Sequence, residues 1–149
     1  MNETITDWSA FRIVSAIAAR ELTVDTVTGA FCERIEAIDP TLHAFAWFDR
    51  QTALRTARAL DRAKAGNVLH GLPVAVKDNI DTASIPTRYG SPIYADHIPA
   101  TDAACVALMR ASGAFVLGKT ATTEFANFHP APTLNPRNPE HTPGGSSSG

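Results

Sequence analysis

The sequence predicts an α/β protein in which helices flank a sheet that contains a parallel pair of strands. Amphipathic helical stretches fill most of the first sixty-six residues, and short apolar runs typical of strands follow them. One helix lies between two of those runs, and the order strand, crossover helix, strand favours parallel pairing. With 149 residues and 44% hydrophobic positions, the chain can build one core.

Composition and charge exclude several classes of protein. A formal net charge of -2, without a basic cluster, argues against nucleic acid or an acidic membrane as partner. No apolar run reaches the length of a membrane span or fits a signal peptide, so we expect a cytoplasmic protein. Cys32 and Cys105 are predicted on buried helix faces rather than in a disulfide or metal site. Five histidines lack metal-ligand spacing and are interpreted as structural or solvated: His43, His70, His97, His129 and His141.

Two amphipathic helices are predicted at the start of the chain, as a helical hairpin over residues 7–38. Asp7 can cap the first helix, which should end near Leu22, and Thr23 can cap the second. Asp39-Pro40 should end the second helix, because proline cannot continue the hydrogen-bonded turn. The residues expected to face inward are Phe11, Val14, Ile17, Ala18 and Leu22, then Val24, Val27, Phe31, Ile35 and Ile38.

The α/β part is predicted over residues 42–149. Residues 42–48 suit a strand or an extended connection, and a third helix over 50–65 ends at Gly66-Asn67. Its inward residues are expected to be Ala53, Leu54, Ala57 and Leu60. The valine-rich run 72–76 suits a strand buried on both faces, with Lys77 at its C-terminal end.

A long loop over residues 81–100 separates this strand from the next helix. The fourth helix is predicted over 101–112, with Cys105, Leu108 and Met109 inward, and the strand 114–117 follows. A short helix around 123–128 then precedes the proline-rich residues 130–143, which lead into Gly144-Gly-Ser146-Ser-Ser-Gly149.

Residues 113–120, Gly-Ala-Phe-Val-Leu-Gly-Lys-Thr, match the spacing of a phosphate-binding loop. Such a loop needs a strand before its first glycine and a flexible turn between the glycines. Here a helix precedes Gly113, and the four residues between the glycines belong to the predicted strand. We therefore interpret Gly113 as a helix stop and Lys119 as a strand-end cation, and we expect no nucleotide site.

Lys77 and Ser146 are the candidate catalytic residues. A lone lysine at a strand end is often a surface residue, and a Gly/Ser segment is often a linker. Lys77, however, directly follows an apolar strand and precedes Asp78, Asn79 and Asp81, which are expected to orient its amine. Partial burial would favour the neutral amine, which can take a proton from a serine hydroxyl. Ser146 follows a segment punctuated by prolines, and nearby glycines allow backbone geometry that other residues resist.

These residues resemble the amidase signature family. The likeness runs from the first helix to the last residue. The motifs that carry it follow the family's order: Gly71-Leu-Pro-Val-Ala-Val-Lys77-Asp-Asn, Gly90-Ser91, Asp102-Ala103, Gly113-Ala114, Gly118-Lys119-Thr120, Glu124-Phe125, Asn135-Pro136 and Gly144-Gly-Ser-Ser-Ser-Gly149. Within the family, residues 119–126, 133–138 and 141–149 are most similar to malonamidase-type bacterial amidases.

The resemblance implies an amidase-signature fold, a central mixed sheet flanked by helices, present here as an incomplete N-terminal part of one domain over residues 1–149. It implies a Ser–cisSer–Lys triad with Lys77 as base and Ser146 as the bridging serine after a cis peptide bond. The family's acylated serine lies in a later segment, so the isolated segment is expected to be inactive. The implied reaction is hydrolysis of a small-molecule amide through an acyl-enzyme, without metal or organic cofactor, by an enzyme that as a full-length protein could form a homodimer.

Two other functions stay open from the sequence. One is the amidotransferase subunit that supplies ammonia for tRNA-dependent transamidation, which uses the same triad within a complex. The other, from a different class, is a catalytically inactive fragment. Glutaminase activity or a second, co-purifying protein would favour the first, and a short product without turnover would favour the second.

Overall fold

The computed structural model of the chain describes residues 4–63 and 66–149. Four α-helices and three strands follow one another in the order α1 (Ala10–Ala18), α2 (Val24–Leu42), β1 (Phe45–Phe48), α3 (Arg50–Arg62), β2 (Pro73–Lys77), α4 (Ala104–Ala111) and β3 (Phe115–Thr120). Single 3-10 turns occur at Ile5–Asp7, Pro92–Tyr94 and Glu124–Ala126. Of the helices within these two ranges, none is long and apolar enough to cross a bilayer.

The sheet has three strands in the order β1-β3-β2, so β3 lies at its centre. β2 pairs with β3 in parallel, from Pro73 opposite Phe115 to Lys77 opposite Thr120. β1 pairs with β3 antiparallel. The sheet is therefore mixed, as the resemblance implied, and the parallel pair joined through α4 is the one that the sequence predicted.

Side chains cap the first three helices. Ser9 accepts a hydrogen bond from the backbone of Arg12 at the start of α1, and Thr23 caps α2 in the same way. At the start of α3 the Asp49 carboxylate accepts from the backbone of Thr52, and hydrogen bonds to this residue lower the pKa of Asp49. Each cap satisfies a backbone donor that the first helical turn leaves without a partner.

The core lies between the helices and the sheet. One group of buried residues joins α1, α2, α3 and β3, and it comprises Ile13, Ile17, Val24, Val27, Ala57 and Phe115. A second joins α2, α3 and β3, and it comprises Cys32, Ile35, Ala53 and Leu117. α3 packs along α2, whereas α1 meets α2 near its N-terminal end. The partly buried Phe31 of α2 packs against both groups.

The second helix continues beyond its predicted end. α2 includes Pro40 and ends at Leu42, and His43 adopts the left-handed conformation at its C-terminal cap. Pro40 fits because it lies in the last turn, where its missing N–H removes one hydrogen bond and few residues follow. The Asp39 carboxylate then accepts hydrogen bonds from the backbone of Ala44 and Phe45, which starts β1.

Several predicted inward residues lie at the surface instead. Phe11 is 79% exposed and Leu108 is 69% exposed, while Cys105 is exposed, contrary to the prediction that it is buried. A helix can carry two adjacent apolar stripes, and helical spacing alone does not show which stripe is buried. The buried residues are Ile13, Ala16 and Ile17 in α1 and Val106 in α4. In β2 the side chain of Ala75 is exposed, because this strand is at one end of the strand order and is not covered on both faces.

Candidate active site

Lys77 and Ser146 meet in the folded chain. The Lys77 Nζ atom donates a hydrogen bond of 2.7 Å to the Ser146 Oγ atom, across 69 positions of sequence. Both residues are half-buried. The structure therefore brings together the two candidate catalytic residues that the sequence analysis selected.

The end of β2 positions Lys77. This residue lies opposite Thr120 in the parallel pairing, and the next backbone N–H, that of Asp78, donates to the Thr120 carbonyl oxygen at 2.9 Å. A tight turn follows, in which the Ile80 N–H donates to the Lys77 carbonyl oxygen at 3.0 Å. Lys77 is thus fixed at a strand-to-turn junction, where side chains from neighbouring segments can converge.

The residues just after β3 position Ser146. Its carbonyl oxygen accepts from the Thr123 N–H at 3.0 Å and from the Thr122 hydroxyl at 3.1 Å. The N–H of Ser148 donates to the Ala121 carbonyl oxygen at 3.1 Å. The Gly145–Ser146 peptide bond is cis. A Cβ atom on Gly145 would lie 2.7 Å from the Thr123 Cγ2 atom, so a larger residue there would displace the Thr123 side chain.

Lys119, interpreted from the sequence as a strand-end cation, is the penultimate residue of β3 and is fully buried, which the sequence analysis did not predict. It lies inside β3, where its Nζ donates to the Ile80 carbonyl oxygen at 2.8 Å and to the Thr87 hydroxyl at 2.6 Å. Asp78 Oδ1 is 3.6 Å from the same nitrogen. Burial lowers the pKa of Lys119 and raises the pKa of Asp78, and the attraction between the two charges opposes both shifts.

A signal in the sequence could have identified this buried lysine. Side chains alternate along a strand, so Lys119 shares a face with Phe115 and Leu117, and both are 5% exposed. β3 begins at Phe115, between the two glycines, and includes Gly118, Lys119 and Thr120, so the glycine–lysine pattern is part of a strand rather than a phosphate-binding loop.

Asp78 and Asp81, which were expected to orient Lys77, have other partners. Asp78 Oδ2 accepts from the Arg88 N–H at 3.1 Å, and the other oxygen faces Lys119. Asp81 accepts a hydrogen bond from the Tyr89 hydroxyl, which raises the pKa of Tyr89 to about 12. The prediction was wrong about their contacts because it considered only neighbours in sequence. These carboxylates bind the loop of residues 87–89 instead.

A cleft of 510 Å³ opens beside Ser146. Its walls come from the segment after β3 and from the glycine pair: Thr123, Ala126, Asn127, Phe128, Pro130, Thr142, Gly144, Gly145 and Ser146. Phe128 is 95% exposed. Instead of the predicted helix at 123–128, this segment has one 3-10 turn in which Phe125 and Ala126 have positive φ. Across residues 4–63 and 66–149, no group of three metal-ligating side chains could hold an ion.

The helix-flanked mixed sheet and the lysine–serine pair are the arrangement that the resemblance implied for an amide-bond-cleaving class of enzyme. Residues 26–149 match the family described as Amidase. The match covers more than half of the chain, and the chain therefore belongs to the amidase family.

Curated relatives of the chain carry two kinds of name. The chain is 42% identical over 151 residues to a glutamyl-tRNA(Gln) amidotransferase subunit of Acidothermus cellulolyticus, covering 95% of the chain and 30% of the relative. It is 43% identical over 145 residues to the AmiD protein of Mycobacterium bovis, which is named as an amidase, covering 92% of the chain and 30% of the relative. The chain thus spans about a third of the length of these relatives.

Solved structures support the fold. The peptide amidase of Stenotrophomonas maltophilia is similar with a TM-score of 0.85 and 34% identity, over 93% of the chain and 32% of that structure. A fatty acid amide hydrolase is similar with a TM-score of 0.86 and 26% identity, over 97% of the chain and 27% of that structure. Both are named for the cleavage of amides, and in each the similar region is about a third or less of the molecule.

Proposed function

We propose that this chain supplies the base and the proton relay of an amide-bond hydrolase. The hydrogen bond of 2.7 Å between Lys77 Nζ and Ser146 Oγ carries the proposal. A hydroxyl both accepts and donates, so Ser146 can pass a proton between Lys77 and a third group. The cleft beside Ser146 leaves space for that group and for a small amide.

The chemistry follows from this arrangement and from the family resemblance. A nucleophilic serine, which the resemblance places in a later glycine-rich segment, attacks the amide carbonyl carbon. Its proton passes to Ser146 Oγ, and the Ser146 proton passes to neutral Lys77. The C–N bond of the substrate then breaks, and the Lys77 ammonium returns its proton through Ser146 to the leaving nitrogen. Water attacks the acyl-enzyme by the same relay, and the acid leaves with the serine restored.

The test is amide turnover by the natural polypeptide at its full encoded length. We expect Lys77→Ala to lower kcat by about 10²- to 10⁴-fold, the usual contribution of general acid–base catalysis. Arg58→Ala is the matched control, because Arg58 is a cation 57% exposed on α3 that pairs with Asp25 away from the site. Ammonia release from a panel of small amides measures both variants. Unchanged turnover in Lys77→Ala would refute the assignment.

A second function, the ammonia-supplying component of a transamidating enzyme, is favoured by the similarity to the glutamyl-tRNA(Gln) amidotransferase of Acidothermus cellulolyticus. It uses the same two residues and differs in its ammonia donor and in its partner. Glutaminase activity together with a second, co-purifying protein supports this function. Turnover of simple amides by a protein that purifies alone supports the hydrolase.

Narrower features of the hydrolase stay predictions. We propose a malonamidase-type preference within the family, a cytoplasmic location and a homodimeric full-length enzyme. Relative rates across the amide panel test the preference. Sedimentation of the full-length polypeptide tests the homodimer, and a monomer would contradict it.

A further inference from the structure

We propose that Lys119 is a positioning residue that sets the distance between Lys77 and Ser146. This inference rests on the proposed function, because it assigns Lys119 a role in that reaction without contact with the reacting atoms. Lys119 is a buried charged side chain, and a buried cation persists only when it is paired and hydrogen-bonded.

Lys119 and Lys77 lie on opposite faces of neighbouring strands. In the parallel register Val76 lies opposite Lys119, and Lys77 lies opposite Thr120. Residues opposite each other share a face and successive residues alternate, so Lys119 is next to the base in the sheet but directed away from it. It therefore acts through the backbone that follows Lys77.

Three contacts of the Lys119 amine fix that backbone. The amine donates to the Ile80 carbonyl oxygen at 2.8 Å, within the turn that directly follows Lys77. It donates to the Thr87 hydroxyl at 2.6 Å, and Thr87 belongs to the loop that returns past this turn. It lies 3.6 Å from Asp78 Oδ1, the residue next to Lys77. One amine thus joins the turn, the returning loop and the central strand.

The same end of β3 holds Ser146. Thr122 and Thr123 bind the Ser146 carbonyl oxygen, and they come three and four residues after Lys119. One short stretch of chain therefore anchors both partners, the turn of Lys77 through Lys119 and the segment of Ser146 through the two threonines. Loss of the Lys119 contacts frees the turn that follows Lys77 but not the segment of Ser146, and it therefore changes the distance between Lys77 and Ser146.

Lys119 also forms an ion pair with Asp78. Asp78 is 1% exposed, and its Oδ1 atom has no hydrogen-bond partner, so the nearby ammonium is the group that compensates this oxygen. Removing Lys119 alone leaves the buried carboxylate of Asp78 without its ion-pair partner, which destabilises the fold strongly. A test of positioning must therefore remove both charges together.

The test variants are the double Asp78→Asn/Lys119→Met and the milder Thr87→Val, in the natural full-length polypeptide. The double removes both charges at nearly constant volume, and Thr87→Val removes one contact of the amine and keeps the ion pair. Val27→Ala is the control, because it perturbs a fully buried core residue away from the site. Each variant is measured for kcat, KM and unfolding midpoint.

We expect the double to fold and to lose about ten- to hundredfold in kcat, as a misplaced catalytic group does, with KM changed by less than about threefold. Thr87→Val should lose less, and Val27→Ala should lose stability without loss of kcat. A double variant with wild-type kcat, or with a loss no greater than that of Val27→Ala, overturns the proposal. If the double variant does not fold, the Thr87→Val variant decides the question. A kcat of Thr87→Val equal to that of the wild type then overturns the proposal.

The Lys77→Ala variant separates this inference from the proposed function. If Lys77→Ala keeps wild-type turnover, the base assignment fails whatever Lys119 does. If Lys77→Ala is inactive while the double variant turns over normally, only the positioning role of Lys119 fails.

Discussion

Tyr89 shows how a single residue ties the loop after the site to the turn after Lys77. Its hydroxyl donates to the Asp81 carboxylate, and its backbone N–H donates to the Asp78 carbonyl oxygen at 2.9 Å. The ring also contacts Tyr94 edge-on at 5.0 Å between centroids. Tyr89 therefore connects the turn after Lys77 to the ring of Tyr94.

The Tyr89–Asp81 hydrogen bond makes the free energy of unfolding depend on pH in the alkaline range. The folded pKa of Tyr89 is raised from 10.0 to about 12, so its contribution is complete below pH 10 and is lost as the pH rises from 10 to about 12. Asp81→Asn should lower this pKa toward its ordinary value, because the amide carries no negative charge. Tyrosinate absorbance against pH measures it, with Tyr89→Phe identifying the signal. An unchanged midpoint in Asp81→Asn would contradict the assignment.

Among single residues, the sequence predicted those whose role is indicated by the residues next to them in the chain. Lys77 was selected from the apolar strand before it, and Ser146 from the glycines around it. The contacts of Asp78 and Lys119 were missed because the two residues are far apart in sequence, and the pairing of β2 with β3 brings them together. Only a pairing register could have predicted that contact.

Two glycines show how the same substitution acts in different elements. Gly90 has φ +67, and a Cβ there would lie 2.7 Å from the Thr122 carbonyl oxygen, next to the segment that holds Ser146. Gly29 lies inside α2 with no atom within 4 Å of its added Cβ.

We expect Gly90→Ala to lower the free energy of unfolding by about 1–3 kcal/mol, the usual cost of a strained backbone position. Gly29→Ala, the matched control, should raise it by about 0.5–1 kcal/mol, because alanine is the better helix former. Chemical denaturation of both variants measures the change. A stabilised Gly90→Ala would show that the loop adopts another conformation in solution.

Element types were predicted better than element ends and faces. The four helices and the strands at residues 72–76 and 114–117 are confirmed with bounds that differ by up to four residues, because the apolar period defines them locally. The predicted end of the third helix, at residues 64–65, lies outside the described residues. Asp39-Pro40 does not end α2, and the inward faces of α1 and α4 were right only in part: Ile17 is buried as predicted, whereas Phe11 and Leu108 are exposed. Local period permits more than one face, and tertiary packing chooses between them.

For the molecule as a whole, the central strand β3 organises both the core and the site. Its N-terminal half contributes Phe115 and Leu117 to the two buried groups. Its C-terminal end, with the residues just beyond it, holds the turn after Lys77 and the segment of Ser146. The mixed pairing could be predicted only in part, because the sequence shows the parallel pair and the resemblance supplied the rest.

The central claim is that Lys77 and Ser146 act as one unit, and a double-mutant cycle tests it most directly. The kcat for amide hydrolysis is measured in the natural full-length polypeptide, in Lys77→Ala, in Ser146→Ala and in the variant carrying both changes. Residues that act as a unit give strongly non-additive losses. We predict that the variant with both changes loses no more activity than the less active of the two single variants. Losses that multiply would contradict the account and show that the two residues act independently.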